Sequence, residues 1–208
     1  MGIKHFFRWF KKRFASDIYR LKKGESFPDM KEEIIMEDGI VIDNLMIDMN
    51  GLFHTSAQKI YEYGNFKPHT RLLGSIRPRK IGGLQKQMKT FEDICATLDK
   101  VMNIVQPRKR LILCVDGPAP LSKQNQQRQR RFMSALEKET DSHRSFDSNC
   151  ITPGTKFMDY LTKYIDWYIR KKMSDPDSRW AQIEVVFSNE KAPGEGEHKL
   201  INFIRKHG

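Results

Sequence analysis

The sequence is poor in the features that mark secreted and membrane proteins. Its 208 residues include three cysteines, Cys95, Cys114 and Cys150, and none of them forms a CxxC pair. Neither a disulfide framework nor a zinc site is therefore indicated. No apolar run is long enough to span a bilayer, and no signal-peptide pattern is present. We expect an intracellular protein of the cytoplasm or nucleus.

Acidic residues are also in deficit. The chain has 26 Asp and Glu against 37 Lys and Arg, which gives a formal net charge of +11. This excess favours a polyanionic partner, and nucleic acid is the leading candidate. A membrane surface would attract the same charge. The sequence shows no internal repeat and no arrangement typical of a Ser or Cys nucleophile.

Strand-like and helix-like segments alternate along the chain. Strands are predicted to end at Asp48 and Asp116, and a third is predicted at 183–188. Helices are predicted over 5–21, from a turn at Asn50-Gly51 to about Tyr63, from Phe91 to before Pro107, from about Leu121, from Pro153 to about Lys172, and at the C-terminus. This order predicts an α/β fold with a mostly parallel sheet and helices on both faces. A Gly-, Pro- and basic-rich stretch at about 64–87 is interpreted as an insertion.

One aromatic stripe has two interpretations. Its members are Phe157, Tyr160, Leu161, Tyr164, Ile165 and Tyr168. Their spacing on the helix from Pro153 favours a core face over a platform for stacking.

Four acids follow predicted strands. Asp48 and Asp116 close the first two, and Glu195 and Glu197 lie at a glycine-rich turn after the third. The carboxyl ends of parallel strands share one edge of a sheet, so these side chains are expected to converge. Singly, each acid could cap a helix or complement its dipole. Together they favour a site for divalent cations and phosphoryl transfer.

A basic helix begins close to the second acid. Four of its polar side chains fall on one face, at i, i+4, i+7 and i+8: Lys123, Gln127, Arg130 and Arg131. Most such runs are solvated charged faces. Because Lys123 follows Asp116 by only seven residues, a pocket for a terminal phosphate is favoured. His54 could contact a base or be a buried structural histidine.

The ordered motifs resemble the N-terminal portion of the Xrn-type 5′→3′ exoribonuclease family over nearly the whole chain. The matching blocks are Met1-Gly2-Ile3 with Phe6-Phe7-Arg8-Trp9, Asn44 to Gly51 with His54, Val115-Asp116-Gly117 with Ala119-Pro120, Lys123 with Asn125 to Arg128 and Arg130-Arg131-Phe132, Phe146 to Thr155, and Pro193 to Lys199. Six ordered blocks are far more specific than a lone glycine motif.

The resemblance implies one N-terminal nuclease domain over 1–208 with a PIN/flap-nuclease-like fold. It implies hydrolysis of 5′-monophosphorylated single-stranded RNA by two Mg²⁺ or Mn²⁺ ions held by Asp48, Asp116, Glu195 and Glu197. By the same likeness Lys123, Gln127, Arg130 and Arg131 would bind the 5′-phosphate, and His54 would stack on the first bases. The family carries further metal-binding aspartates beyond the position of Gly208, so a C-terminal or partner segment is expected to complete the site.

Two other functions fit part of the pattern. A non-catalytic RNA-binding fragment would keep the phosphate pocket without a complete metal centre. A flap-type DNA nuclease would share the acids at strand ends, but the run Asn125 to Arg128 and the loop Phe146 to Thr155 argue against it. Metal-dependent turnover would distinguish an exoribonuclease from the non-catalytic fragment. A comparison of cleavage of RNA with cleavage of DNA would distinguish it from the flap-type nuclease.

Overall fold

The computed structural model describes residues 5–17, 42–66, 82–140 and 146–207. The chain divides into two compact units, Met1–Ile40 and Val41–Gly208. The strands among the described residues and all the predicted site residues lie in the second unit.

The first unit contains helix α1, Phe6–Arg13, followed by a 3₁₀ turn at Ala15–Asp17. The helix predicted over 5–21 is therefore too long, because the backbone of Phe14 leaves the helical region at φ −125° and ψ 48°. Basic residues fill the last turn, where they complement the negative end of the helix dipole. Residues 18–21 of that prediction lie outside the described residues.

A parallel sheet forms the centre of the second unit. Strand β2 (Arg110–Cys114) lies between β1 (Asn44–Asp48) and β3 (Glu184–Ser188). The register places Asp48 beside Cys114 and Cys114 beside Ser188, so the three strands end at the same edge. The predicted parallel sheet is confirmed, as is the expectation that its carboxyl ends meet.

Helices alternate with these strands as predicted. They are α2 (Asn50–Tyr61), α3 (Gly83–Val105), α4 (Leu121–Thr140), α5 (Lys156–Met173) and α6 (Gly196–His207). α3 ends where Gln106 adopts φ 48° and donates its N–H to the carbonyl of Met102, and Pro107 then prevents further helix. α5 begins after Thr155, whose hydroxyl accepts from the N–H of Met158 at 3.3 Å.

Three helix starts differ from the prediction. α5 begins at Lys156 rather than at Pro153. α2 begins at Asn50 itself, where a turn was expected. α3 begins at Gly83 rather than near Phe91, so residues 83–87 of the predicted insertion are helical. Large apolar side chains are sparse in that first part of α3, which is why the helical pattern was not visible there. Residues 67–81 lie outside the described residues.

The main core lies between one face of the sheet and helices α2, α3 and α5. Leu111 and Leu113 of β2 are fully buried there with Phe53 and Leu98. Side chains of a strand alternate between faces, so Cys114 points the other way. α6 contacts β1 and β2 on that second face. Helices therefore cover both faces, as predicted.

The aromatic stripe of α5 is only partly a core face. Leu161 and Ile165 are fully buried, and Tyr164 and Tyr168 pack against the core from its margin. Tyr160 is 56% exposed, so the prediction is wrong for this residue. Tyr160 lies next to the buried face of the helix, and its spacing alone does not show whether it is buried or exposed.

Candidate functional site

A paired hydrogen bond joins the ends of β1 and β2. The Asn50 side chain donates from Nδ2 to Oδ2 of Asp116 at 2.8 Å, and its Oδ1 accepts from the backbone N–H of Asp116 at 3.0 Å. The N–H of Asn50 also donates to Oδ1 of Asp48 at 3.2 Å. One residue at the start of α2 therefore orients both strand-end carboxylates.

The glycine-rich turn before α6 closes against the same two acids. The N–H of Gly196 donates to Oδ1 of Asp116 at 2.6 Å. A Cβ added to Gly196 would lie 2.6 Å from Oδ1 of Asp48, so a larger residue here would displace the carboxylate or the turn. Gly194 has φ 104°, and its carbonyl accepts from the N–H of Gly117 at 2.9 Å.

Three acids are close enough to repel one another. Partial burial raises the pKa of the Asp48 carboxyl, and the negative charges of Asp116 and Glu197 raise it further, while the hydrogen bond from the N–H of Asn50 opposes the change. Clustered carboxylate oxygens are the donors that Mg²⁺ and Mn²⁺ prefer. The donor type therefore fits a hard divalent cation.

The carboxylates of the described residues nevertheless do not form a complete metal-binding site. Within the described ranges, no group of three or more His, Cys, Asp or Glu side chains has an arrangement that could hold a metal ion. Glu195 is only 6% exposed, and its Oε1 lies 3.5 Å from the ammonium of Lys123. The structure thus places Asp48, Asp116 and Glu197 near one another and engages Glu195 with Lys123.

Lys199 supports the turn that carries these acids. Its ammonium donates to the carbonyl of Val115 at 2.7 Å and to that of Asn189 at 2.9 Å. Burial lowers the pKa of Lys199. This lysine and Asn50 were not predicted to have site roles. Their sequence signal is position: each lies two residues from a predicted metal ligand.

A cavity of about 280 Å³ opens beside Asp116. Its walls include Asn50, His54, Gln127 and Arg131. Nη2 of Arg131 donates to Oε1 of Gln127 at 3.5 Å, which is one helical turn away on α4. Three of the residues predicted to contact RNA therefore share this cavity with a strand-end acid. The side chain of Arg130 lies outside the described part of the structure.

A larger cleft of about 840 Å³ adjoins this cavity. The two share Gln127, Arg131, Thr152 and Pro153. The cleft is also lined by residues that no site prediction included: Lys156 and Asp159 of α5, and Glu190 and Lys191 of the segment after β3.

No helix among the described residues is both long and apolar enough to cross a membrane. Cys95, Cys114 and Cys150 are not joined in disulfides, and the first two are buried.

Comparison with known proteins gives one family over the full length. Residues 1–208 match the family described as XRN 5'-3' exonuclease N-terminus. The chain is 35% identical to 5'-3' exoribonuclease 1 of Saccharomyces cerevisiae and 34% identical to 5'-3' exoribonuclease 1 of Homo sapiens, and 33% identical to the 5'-3' exoribonuclease 2 homolog of Drosophila melanogaster. Each alignment covers 99% of this chain but only 12%, 11% and 24% of the respective relative.

Proposed function

The chain belongs to the XRN 5'-3' exonuclease N-terminus family, and from this premise we propose that it carries the catalytic acids of a 5′→3′ exoribonuclease. The proposed substrate is single-stranded RNA with a 5′-monophosphate. The observation that carries the proposal is the convergence of Asp48, Asp116 and Glu197 beside the cavity lined by Gln127 and Arg131. Residues 1–208 would then act as one N-terminal nuclease domain.

The proposed metal ligands are Asp48, Asp116, Glu195 and Glu197. Mg²⁺ or Mn²⁺, two ions in a complete site, would polarise the scissile phosphate and lower the pKa of a bound water. Asn50 and Gly196 hold the carboxylate of Asp116 in a fixed direction. We propose that a further segment, C-terminal or from a partner, supplies the ligands that the described residues do not.

The proposed 5′-phosphate pocket is formed by α4. Gln127 offers a neutral hydrogen-bond donor and Arg131 a charged one in the cavity beside Asp116. Arg130, on the same helix, would add a further charged donor. Lys123, whose ammonium contacts Glu195, would add another positive charge to this pocket. Such charge-assisted bonds favour a terminal phosphate. His54, in the wall of the same cavity, would stack on a first base.

The second candidate is an RNA-binding module without turnover. One observation favours it: the described residues do not form a closed metal-binding group. In either case, three cysteines that form no disulfide suit a reducing compartment such as the cytoplasm or nucleus.

The decisive experiment incubates the purified chain with 5′-monophosphorylated RNA, in Mg²⁺ or in EDTA, and resolves the products on a sequencing gel. Release of mononucleotides from the 5′ end in Mg²⁺ alone supports the exoribonuclease. RNA that stays intact in Mg²⁺ but is bound by the protein supports the second candidate. Comparison of 5′-monophosphate with 5′-hydroxyl RNA measures the contribution of the phosphate pocket.

Two variants separate the metal site from the phosphate pocket. Glu197→Gln removes a metal-binding charge and little surface, so cleavage should be lost while RNA binding persists. Arg130→Ala with Arg131→Ala should instead abolish the preference for a 5′-monophosphate. Glu92→Gln, at an exposed position of α3, is the matched control and should cleave normally. Normal cleavage by Glu197→Gln would exclude the assignment of the metal ligands.

A further inference from the structure

Basic and aromatic side chains alternate along the outer face of α5. Lys156, Tyr160, Lys163, Trp167 and Lys171 lie at i, i+4, i+7, i+11 and i+15, which places them in one stripe of the helix. All five are exposed. Tyr160 and Trp167 keep 56% and 50% of their surface in contact with solvent. Single exposed apolar residues are common, but this regular alternation is not a random scatter.

The rings of this stripe are supported by their neighbours. The ring centroids of Trp167 and Tyr164 are 5.3 Å apart. The ammonium of Lys171 lies 5.3 Å from the centroid of the Trp167 ring, within cation–π range. Trp167 is therefore held in place while half of its surface remains open to a ligand.

The stripe carries an excess of positive charge. Asp159 pairs with Lys163 at 2.7 Å and with Lys191 at 3.9 Å, and Asp166 pairs with Arg170 at 2.8 Å. The stripe itself contains three lysines, Lys156, Lys163 and Lys171, and no acid. Exposed ion pairs of this kind contribute little free energy, so a phosphate can replace the carboxylate as the partner of Lys163.

The stripe is also continuous with the candidate active site. Lys156, at its N-terminal end, lines the cleft of about 840 Å³. The same cleft is lined by Gln127 and Arg131, which also line the cavity beside Asp116. The charged residues of the cleft are four basic and two acidic: Arg128, Arg131, Lys156, Lys191, Asp159 and Glu190. A positively biased path thus leads from the strand-end acids to the first turn of α5.

We propose that this face of α5 binds single-stranded RNA, as a secondary track for the part of the strand that extends away from the active site. Exposed aromatic rings interspersed with basic residues are the usual construction of sequence-tolerant surfaces for single strands. Tyr160 and Trp167 are about 10 Å apart along the helix axis, so each can stack on a separate base. The inference rests on the proposed function for the direction of the strand, but binding can be measured without turnover.

The test measures binding of 5′-monophosphorylated oligonucleotides by fluorescence anisotropy in EDTA, which prevents hydrolysis. One oligonucleotide has about 4 nucleotides and fits the active site alone, and the other has about 16 and reaches α5. Trp167→Ala and Tyr160→Ala should each weaken binding of the longer one by about five- to tenfold. Neither should change binding of the shorter one. Trp167→Phe should restore most of the affinity.

Two further measurements make the test specific. Met173→Ala, an exposed residue of α5 outside the stripe, should bind both oligonucleotides like the wild type. Replacing Lys163 and Lys171 by alanine should reduce the slope of log affinity against log salt by about one for each phosphate that is no longer neutralised.

Several outcomes would overturn the proposal. Wild-type affinity of Trp167→Ala and Tyr160→Ala for the longer RNA would do so, as would an equal loss for both lengths. If the wild type self-associates and Trp167→Ala alone prevents it without changing RNA affinity, the face is a protein contact. Failure of the proposed active site would look different: the shorter RNA would show no preference for a 5′-monophosphate, while the length effect of Trp167 would persist.

Discussion

Asn50 and Asp116, 66 residues apart in the chain, exchange two hydrogen bonds, one in each direction. The amide of Asn50 is both the donor to the carboxylate and the acceptor of the backbone N–H. This exchange links the segment just after β2 to the first turn of α2, and it fixes the direction in which the Asp116 carboxylate presents its remaining lone pairs.

Asn50→Asp should disturb this link more than its small change in shape suggests. The new carboxylate cannot donate to Asp116, and it adds a negative charge beside two others. We expect a loss of about 1–3 kcal/mol in the free energy of unfolding and a fall of about 10–100-fold in metal-dependent activity. Urea unfolding at neutral pH and single-turnover hydrolysis measure the two effects. Thr55→Ala, at an exposed position of the same helix, is the control and should leave hydrolysis unchanged.

Gly196→Ala should distort the arrangement of the strand-end acids while leaving the rest of the fold largely intact. Its Cβ would lie 2.6 Å from Oδ1 of Asp48, so the carboxylate or the turn must move. We expect loss of hydrolysis and of thermal stabilisation by Mn²⁺. Gly51→Ala is the matched control, because nothing lies within 4 Å of its added Cβ and helix propensity favours it by up to about 1 kcal/mol. Equal activity of the two variants would contradict the close approach at Gly196.

The free energy of unfolding should depend on pH because Asp48 is partly buried close to Asp116 and Glu197. Burial is the main cause that raises the pKa of Asp48 above 3.8, and the charges of Asp116 and Glu197 add to it. A raised pKa means that the folded state binds the proton more tightly, so stability falls as pH rises from 3.8 through the raised value. Asp48→Asn should therefore be more stable than the wild type without metal, and the difference should be larger at about pH 8 than at about pH 4. Urea midpoints at both pH values test this; a constant difference would contradict it.

The buried thiols should resist alkylation. Burial raises the pKa of Cys95 to about 12 and also raises that of Cys114, so the reactive thiolate is scarce at neutral pH. Iodoacetamide should modify partly exposed Cys150 first, and the other two only on unfolding in urea. Peptide mass spectrometry after timed quenching identifies the sites. Rapid labelling of Cys95 in the native protein would contradict its burial.

The elements and the positions of the acids were predictable because their signals are local. β-branched and apolar runs ending in Asp48 and Asp116 predict strands, and the parallel register then brings the ends together without further information. Helical spacing likewise predicted α3 from Phe91 onward, where its buried face begins. Its first turns lack large apolar residues, so periodicity gave no signal there.

Interactions across the sheet were not predictable in the same way. Asn50 was interpreted as a turn residue, because its partner Asp116 lies far away in the sequence. The exposure of Tyr160 depends on the rotation of α5 about its own axis, and that rotation is set by packing against α3. Spacing identifies which residues share a face, but not where the edge of the buried face falls.

Lys123 of α4 and Glu195 of the glycine-rich turn form an ion pair. Glu195 is 6% exposed, and its Oε1 lies 3.5 Å from the Lys123 ammonium. Lys123→Met would leave a carboxylate buried without this counter-charge, at an expected cost of about 1–3 kcal/mol. Lys123→Met with Glu195→Gln removes both charges and should recover most of that loss. A double-mutant cycle by urea unfolding measures the coupling.

The same variants separate the structural role of Lys123 from its proposed contact with RNA. If Lys123 also binds the 5′-phosphate, the double variant recovers stability but still discriminates poorly between 5′-monophosphate and 5′-hydroxyl RNA. Lys123→Arg retains the positive charge and should preserve both properties in part. If the double variant discriminates normally between the two RNA ends, the role of Lys123 is restricted to neutralising Glu195. Binding of the 5′-phosphate would then depend on Gln127 and Arg131 of α4, which line the cavity beside Asp116.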